Sequence, residues 1–190
     1  MKTLFSTALL LGVALMLSSV LQAEDKKIVF IAGGPSHGFG SHEHKAGCML
    51  LAKSLKDSGV KGVTTEVVTG GWPKDESVLD GADCIVMYCD GGGRHFANAN
   101  LPTIDKLANK GVGIVCIHYG VEVPKGDPGD RFLNWIGGYF ETHWSVNPHW
   151  TAQFKSLADH PINNGVEPFS IRDEWYYHMR FRPEMKNVTP

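Results

Sequence analysis

Val112-Gly113-Ile114-Val115-Cys116-Ile117-His118-Tyr119-Gly120 reads as a buried β-strand that runs into a sharp, glycine-bounded turn presenting His118. The run is short, apolar and rich in β-branched residues, and the helix stop Lys110-Gly111 precedes it. That pattern predicts an inner strand of a parallel sheet, covered on both faces. Parallel sheets carry their chemistry at the carboxyl ends of the strands, so the turn at His118 is the first place to look for function.

The same pattern extends upstream. Ile28-Val29-Phe30-Ile31-Ala32 is a continuous apolar strand stopped by Gly33-Gly34-Pro35. A helix is expected over about 43–58, because Cys48, Leu51, Ala52 and Leu55 recur at helical spacing, with Ser41 as its N-cap and Gly59 behind it. Val63 to Val68 alternates and carries two threonines, which suits a strand nearer an edge. A short helical stretch at 76–79 leads to a strand at Cys84 to Tyr88, then to Asp90-Gly91-Gly92-Gly93-Arg94-His95. Asn100, Pro102 and Gly111 bracket a helix at 101–109 that delivers the chain to Val112. Strand and helix alternating with short connections predict a doubly wound, mostly parallel α/β sheet. In such a sheet the loops at 36–44, 90–95 and 118–122 converge on one edge.

Beyond Glu122 the pattern changes. Residues 123–130 read as a loop and 131–136 as a short helical piece ended by Gly137-Gly138. An aromatic and His-rich segment follows at 139–144, and a last strand is expected near Phe169 to Arg172.

With 190 residues, 43% of them apolar, and a formal charge of −2, the chain is long enough for one domain with a core. It has no basic block that would neutralise phosphates, so a nucleic-acid partner is not expected. Residues 1–23 read as a signal peptide: Lys2 supplies the positive region, Leu9 to Leu17 the apolar one, and Ala23 a small residue before the cut. Export to the periplasm or the outside is therefore expected; the alternative is a retained anchor. From residue 24 to 190 no stretch is apolar enough to span a bilayer. The four cysteines do not read as disulfides, because Cys48, Cys84 and Cys116 fall at core positions and only Cys89 ends its strand.

Taken together, Ile31-Ala32-Gly33-Gly34 with Ser36-His37-Gly38, Gly113 to Gly120, Gly137-Gly138-Tyr139-Phe140, and His160-Pro161-Ile162 with Asp173-Glu174-Trp175-Tyr176 resemble the ThuA-like family, named for trehalose utilisation. The resemblance covers about residues 27–182. It implies the flavodoxin-like fold of class I glutamine amidotransferases and, as substrate, a carbohydrate such as a glucoside or its 3-keto form. It also implies a closing segment beyond Pro190, so the chain is expected to lack the last part of its domain. Amidotransferases present a nucleophilic Cys on a strained elbow resembling Gly-x-Cys-x-Gly. Here His118 stands where that Cys would be, and Cys116 lies two residues earlier on the strand. Glutamine hydrolysis is therefore not expected.

His118, His37, Glu122 and Glu174 are the candidate acid–base residues, since imidazoles and carboxylates exchange protons near neutral pH. Gly34, His42, His44, Asp90, Gly91, His95, Tyr119, His143, Asp173 and Tyr176 are candidates for holding substrate. A divalent metal is left open, with His42, His44 and His118 as candidate ligands and no short helical His motif in support. Two readings follow: a sugar isomerase, lyase or hydrolase using His and carboxylate chemistry, or a non-catalytic sugar-binding module on the same fold.

Overall fold

The structure is a computed structural model that describes residues 25–189, so the leader expected at 1–23 lies outside the described residues. Four strands, β1 (Lys26–Ala32), β2 (Val63–Thr69), β3 (Ala82–Tyr88) and β4 (Gly113–Ile117), form a wholly parallel sheet in the order β2-β1-β3-β4. Helix α1 (His44–Asp57) connects β1 to β2, and α2 (Leu101–Asn109) connects β3 to β4. This is the flavodoxin-like α/β arrangement expected from the alternating pattern.

The pleat of β1 shows why its sequence is apolar at every position. Val29 and Ile31 point to one face, where they join Ile85, Met87, Ile104 and Phe132 in the larger core. Phe30 and Ala32 point to the other, against Cys48, Ala52 and Val86. A strand buried on both faces cannot alternate with polar residues.

Three expectations are corrected. First, β4 is not an inner strand among the described residues: there it pairs with β3 alone, and Val115 is 43% exposed. A β-branched apolar run reports on what covers a strand's faces and says nothing of whether both its edges are paired. Second, α1 has Glu43 at its N-cap without a side-chain cap, so Ser41 does not serve there. Third, the loop expected at 123–130 contains the start of a helix, α3 (Asp127–Ile136). Pro128 reads as a breaker, but in a first turn its missing N–H would have no partner anyway, and Asp127 and Asp130 favour the positive end of the helix dipole.

The remainder hangs on small sheets. Strand β5 (Glu122–Val123) pairs with β6 (Gly138–Glu141), which pairs with β9 (Arg180–Phe181). Strands β7 (His149–Phe154) and β8 (Phe169–Glu174) form an antiparallel pair. β8 begins where the sequence indicated, while β6 overlaps the segment read only as aromatic and His-rich and β7 follows it. Arg180 ties β9 to β6 by donating from Nε to Glu141 at 2.7 Å, and its guanidinium lies 4.1 Å from the Trp144 ring centroid. Among the described residues no helix is long and apolar enough to cross a membrane.

The four cysteines are free, and Cys89, whose position at a strand end left its exposure open, is 2% exposed. A Cβ on Gly33 would come within 2.7 Å of the Cys89 Cβ, so only glycine lets the exits of β1 and β3 lie so close.

Candidate active site

The exits of β1, β3 and β4 bring three loops to one edge, as the sheet topology requires. The loop after β1 folds back on itself through an antiparallel bridge between Ser36 and His42. His37 takes a positive φ of 60° in the turn between them, which sets the His37 and His42 rings 4.0 Å apart. After β3, Asp90 enters the same cluster. A Cβ on Gly91 would lie 2.5 Å from the Tyr119 carbonyl, so the absence of a side chain there seats the Asp90 loop against the turn that follows β4. That turn carries His118 at φ 50°, a left-handed backbone that an L residue adopts only when its surroundings hold it. The sharp turn expected at this position is present, with an imidazole at its tip.

These residues face a cleft of about 460 Å³ lined by His37, His42, His118, Tyr119, Glu122 and, from the β7–β8 side, Glu174 and Tyr176. Phe140, Ser145 and Asn147 complete the lining. Phe140 is legible only as part of the Gly137-Gly138-Tyr139-Phe140 motif, and nothing in the spacing of Ser145 and Asn147 marks them before the β6 and β7 strands are placed. Ser145 is already engaged, accepting from the Glu141 N–H at 3.0 Å and donating to the His178 carbonyl at 2.8 Å. Asn147 donates to Glu174 and so orients that carboxylate.

A chain of hydrogen bonds links the imidazoles. Tyr176 Oη lies 3.3 Å from His118 Nδ1, His118 Nε2 lies 3.2 Å from His42 Nε2, and His42 Nδ1 lies 3.0 Å from Ser36 Oγ and 3.4 Å from Asp90 Oδ1. Counting protons fixes the direction. The Ser36 hydroxyl donates to Asp90, so it can only accept from His37 and His42, each 3.0 Å away through Nδ1. His42 Nε2 is then an acceptor, His118 Nε2–H donates to it, and His118 Nδ1 is left with a lone pair facing the Tyr176 hydroxyl. The basic nitrogen of the turn is therefore Nδ1.

Local electrostatics fit that assignment. Burial lowers the pKa of His118, against the opposing pull of Glu174, so the neutral imidazole is favoured. Burial raises the Glu122 carboxyl above its ordinary value, with Thr142 and His143 pulling the other way. Burial also works to raise Asp90, but the Ser36 hydroxyl, His42 and Arg94 outweigh it and hold that carboxyl below its usual range. Tyr176 is pushed up, first by burial and then by Glu174 and Glu122, and keeps its proton.

Other candidates lie outside the cleft. His44 is buried, with Nδ1 on the Gly34 carbonyl at 2.8 Å and Nε2 without a partner. Gly34 thus serves His44 through its carbonyl, and Gly91 acts by close approach of backbone. His143 is exposed and reaches the site only through its charge on Glu122. Asp173 is exposed, and its Oδ1 accepts from the Glu174 N–H at 2.8 Å.

His95 lies behind the turn rather than in the cleft. It is 2% exposed, accepts from the Ala97 N–H at 2.9 Å and reaches the Gly120 carbonyl at 2.9 Å through Nε2. It braces the His118 turn from inside, and burial depresses its pKa to about 4. The unfolded chain binds this proton near pH 6.5 and the folded chain does not, so stability falls as pH drops from about 6.5 to about 4. The loss amounts to about 3 kcal/mol across that window. Urea unfolding between pH 7 and pH 4 should show it, and His95→Gln should flatten the profile by this amount.

Cys116 is not a nucleophile in waiting. Burial pushes its thiol up to about 12, which leaves almost no thiolate at neutral pH. Iodoacetamide at pH 7.5 should leave Cys116 unmodified in the folded protein and label it only after denaturation, as read by mass spectrometry.

Fold and site together define a flavodoxin-like α/β domain whose strand-end elbow carries histidine and whose mouth is lined by imidazoles and carboxylates. The ThuA family, described as trehalose utilisation, matches residues 29–189, and the chain belongs to it. Among solved structures, the chain is similar to a ThuA-like protein from Bacteroides uniformis, with 17% identity and a TM-score of 0.56 over 88% of this chain. The chain spans 65% of the length of that protein, and the likeness is one of fold. Comparison with curated proteins gives no match.

Proposed function

We propose that the protein acts on a glucoside or a 3-keto-glucoside by acid–base chemistry at His118, without glutaminase activity. The observation that carries this reading is the His118 Nδ1 lone pair, turned toward a cleft that also holds Glu122, Glu174 and the Tyr176 hydroxyl. A keto-sugar acidifies the C–H beside its carbonyl. His118 Nδ1, once substrate displaces the long 3.3 Å bond from Tyr176, takes that proton, and the electron pair moves onto the carbonyl oxygen. Glu122, whose raised pKa enlarges its protonated fraction, donates to that oxygen. The positive charge on His118 is shared through Nε2–H with His42 and, behind it, Asp90. Returning the proton to a neighbouring carbon gives isomerisation, and loss of an adjacent oxygen substituent gives elimination.

The place of His118 on the elbow and the high pKa of Cys116 both speak against a thiol mechanism. Phe140 and Tyr176, with ring centroids 4.7 Å apart, supply an apolar wall for a pyranose face. The test is incubation of the purified protein with a panel of glucosides and 3-keto-glucosides, followed by product analysis. Conversion supports the reading, whereas saturable binding with no product would favour a sugar-binding module.

A further inference from the structure

We propose that His37, His42 and Asp90 bind one divalent transition-metal cation of the zinc, cobalt or nickel type at the mouth of the cleft. Each of the three offers one ligand atom, and these atoms lie within 4.8 Å of one another. Nδ1 of His42 is 3.4 Å from Asp90 Oδ1, and Nδ1 of His37 is 3.9 Å from it. A tetrahedral cation with bonds of about 2.0–2.2 Å holds its ligand atoms about 3.3–3.6 Å apart, so the two edges that end on Asp90 need to close only slightly and the His37–His42 edge closes by rotation of the exposed His37 ring. Two imidazoles and one carboxylate are the donor set of zinc and its neighbours, whereas magnesium and calcium take oxygen donors.

The cluster is built by the fold. His37 and His42 come from the bridged loop after β1, and Asp90 follows β3, the strand beside it. The Ser36 hydroxyl sits among the three donors, 3.0 Å from each Nδ1 and hydrogen-bonded to Asp90, so they are already turned to one small polar point. Rotation of the Ser36 side chain clears that point, and each imidazole exchanges its proton through solvent from Nδ1 to Nε2, which frees the Nδ1 lone pair for the cation; His42 Nε2–H then donates to His118 Nε2, and His118 carries its own proton on Nδ1.

Neighbouring groups hold the donors as they do in zinc sites generally. The far nitrogen of His42 meets His118 at 3.2 Å, and Asp90 Oδ2 is held by Arg94 at 3.0 Å, which leaves Oδ1 for the cation. The sequence pointed instead to His42, His44 and His118. Of these, His44 spends Nδ1 on the Gly34 carbonyl, and His118 approaches His42 from the side opposite Asp90. Three protein ligands leave a fourth position, and because His37 and His42 line the cleft, that position opens toward substrate. A cation there polarises a sugar carbonyl as a Lewis acid, while the proton then held on His118 Nδ1 makes that nitrogen a donor, so the loaded cleft and the His118 base are different states of one site; the binding itself does not rest on the keto-sugar reading above.

The test is calorimetric titration of the full chain, stripped with chelator and free of sugar, with ZnCl2, CoCl2 and MgCl2. One equivalent of zinc or cobalt per chain is expected, with visible d–d absorption for cobalt and no comparable magnesium binding. Asp90→Asn and His37→Ala should each weaken zinc binding by at least about 10–100-fold. The His37 side chain is 48% exposed, so that variant removes a ligand without opening the core. Ser36→Ala, which keeps the three donors, should retain binding, as should His149→Ala, whose imidazole is exposed on β7. Absence of stoichiometric zinc or cobalt binding, or equal binding by wild type and His37→Ala, overturns the site. Sugar conversion is assayed separately, so failure of either proposal leaves the other standing.

Discussion

His118→Ala is expected to lower turnover of a 3-keto-glucoside by about 10²–10⁴-fold, the range over which a positioned general base acts. Substrate affinity should change far less, because the walls of the cleft, Tyr119, Phe140 and Tyr176 among them, stay in place. The His118 Nδ1 lone pair faces the cleft beside the Tyr176 hydroxyl, whereas the Nδ1 atoms of His37 and His42 are turned to Ser36. The fold should tolerate the change: the side chain is half-buried, and alanine at φ 50° adds little to the backbone strain that histidine already carries. Tyr176→Phe separates the base from its neighbour. It removes the hydroxyl at 3.3 Å but leaves Nδ1, so its effect on turnover should be smaller than that of His118→Ala. Steady-state kinetics on the two variants check both statements. Equal turnover in wild type and His118→Ala would remove His118 from the chemistry.

The largest effect on stability is expected from Phe132→Ala, at about 3–5 kcal/mol. Phe132 lies on α3, is 0% exposed, and fills the space between that helix and the sheet core of Ile85, Met87 and Ile104. Truncation removes an aromatic ring from among side chains fixed on strands and helices, which collapse poorly into the void. The consequence reaches the active site. The Phe132 ring meets His95 edge-on, with centroids 5.5 Å apart at 89°, and His95 holds the Gly120 carbonyl behind the His118 turn. A cavity there admits water to His95, so the variant should also lose part of the stability change between pH 6.5 and pH 4. Urea unfolding of wild type and Phe132→Ala at pH 7 and pH 5 reads both effects.

The parallel sheet was legible because its strands are apolar on both faces and its helices are bracketed by Gly59, Asn100 and Gly111. The edge position of β4 was not, since pairing depends on which strand lies alongside and leaves no mark on the strand's own residues. The site divides in the same way. His37, His42, Asp90, His118 and Glu122 sit at strand exits, and topology alone predicts their convergence. Phe140, Ser145 and Asn147 reach the cleft through β6 and the segment before β7, whose pairing is non-local. His44 and His95 show the reverse failure. Both lie in histidine- and glycine-rich loops that read as functional, yet packing turns each inward, where backbone groups satisfy His95 and one nitrogen of His44.

The most direct measurement is proton NMR of a 3-keto-glucoside in D2O with and without the protein. Deuterium incorporation is expected at a carbon beside the carbonyl, faster than in buffer alone and lost in His118→Ala. Exchange no faster than in buffer, with the sugar bound, would contradict it.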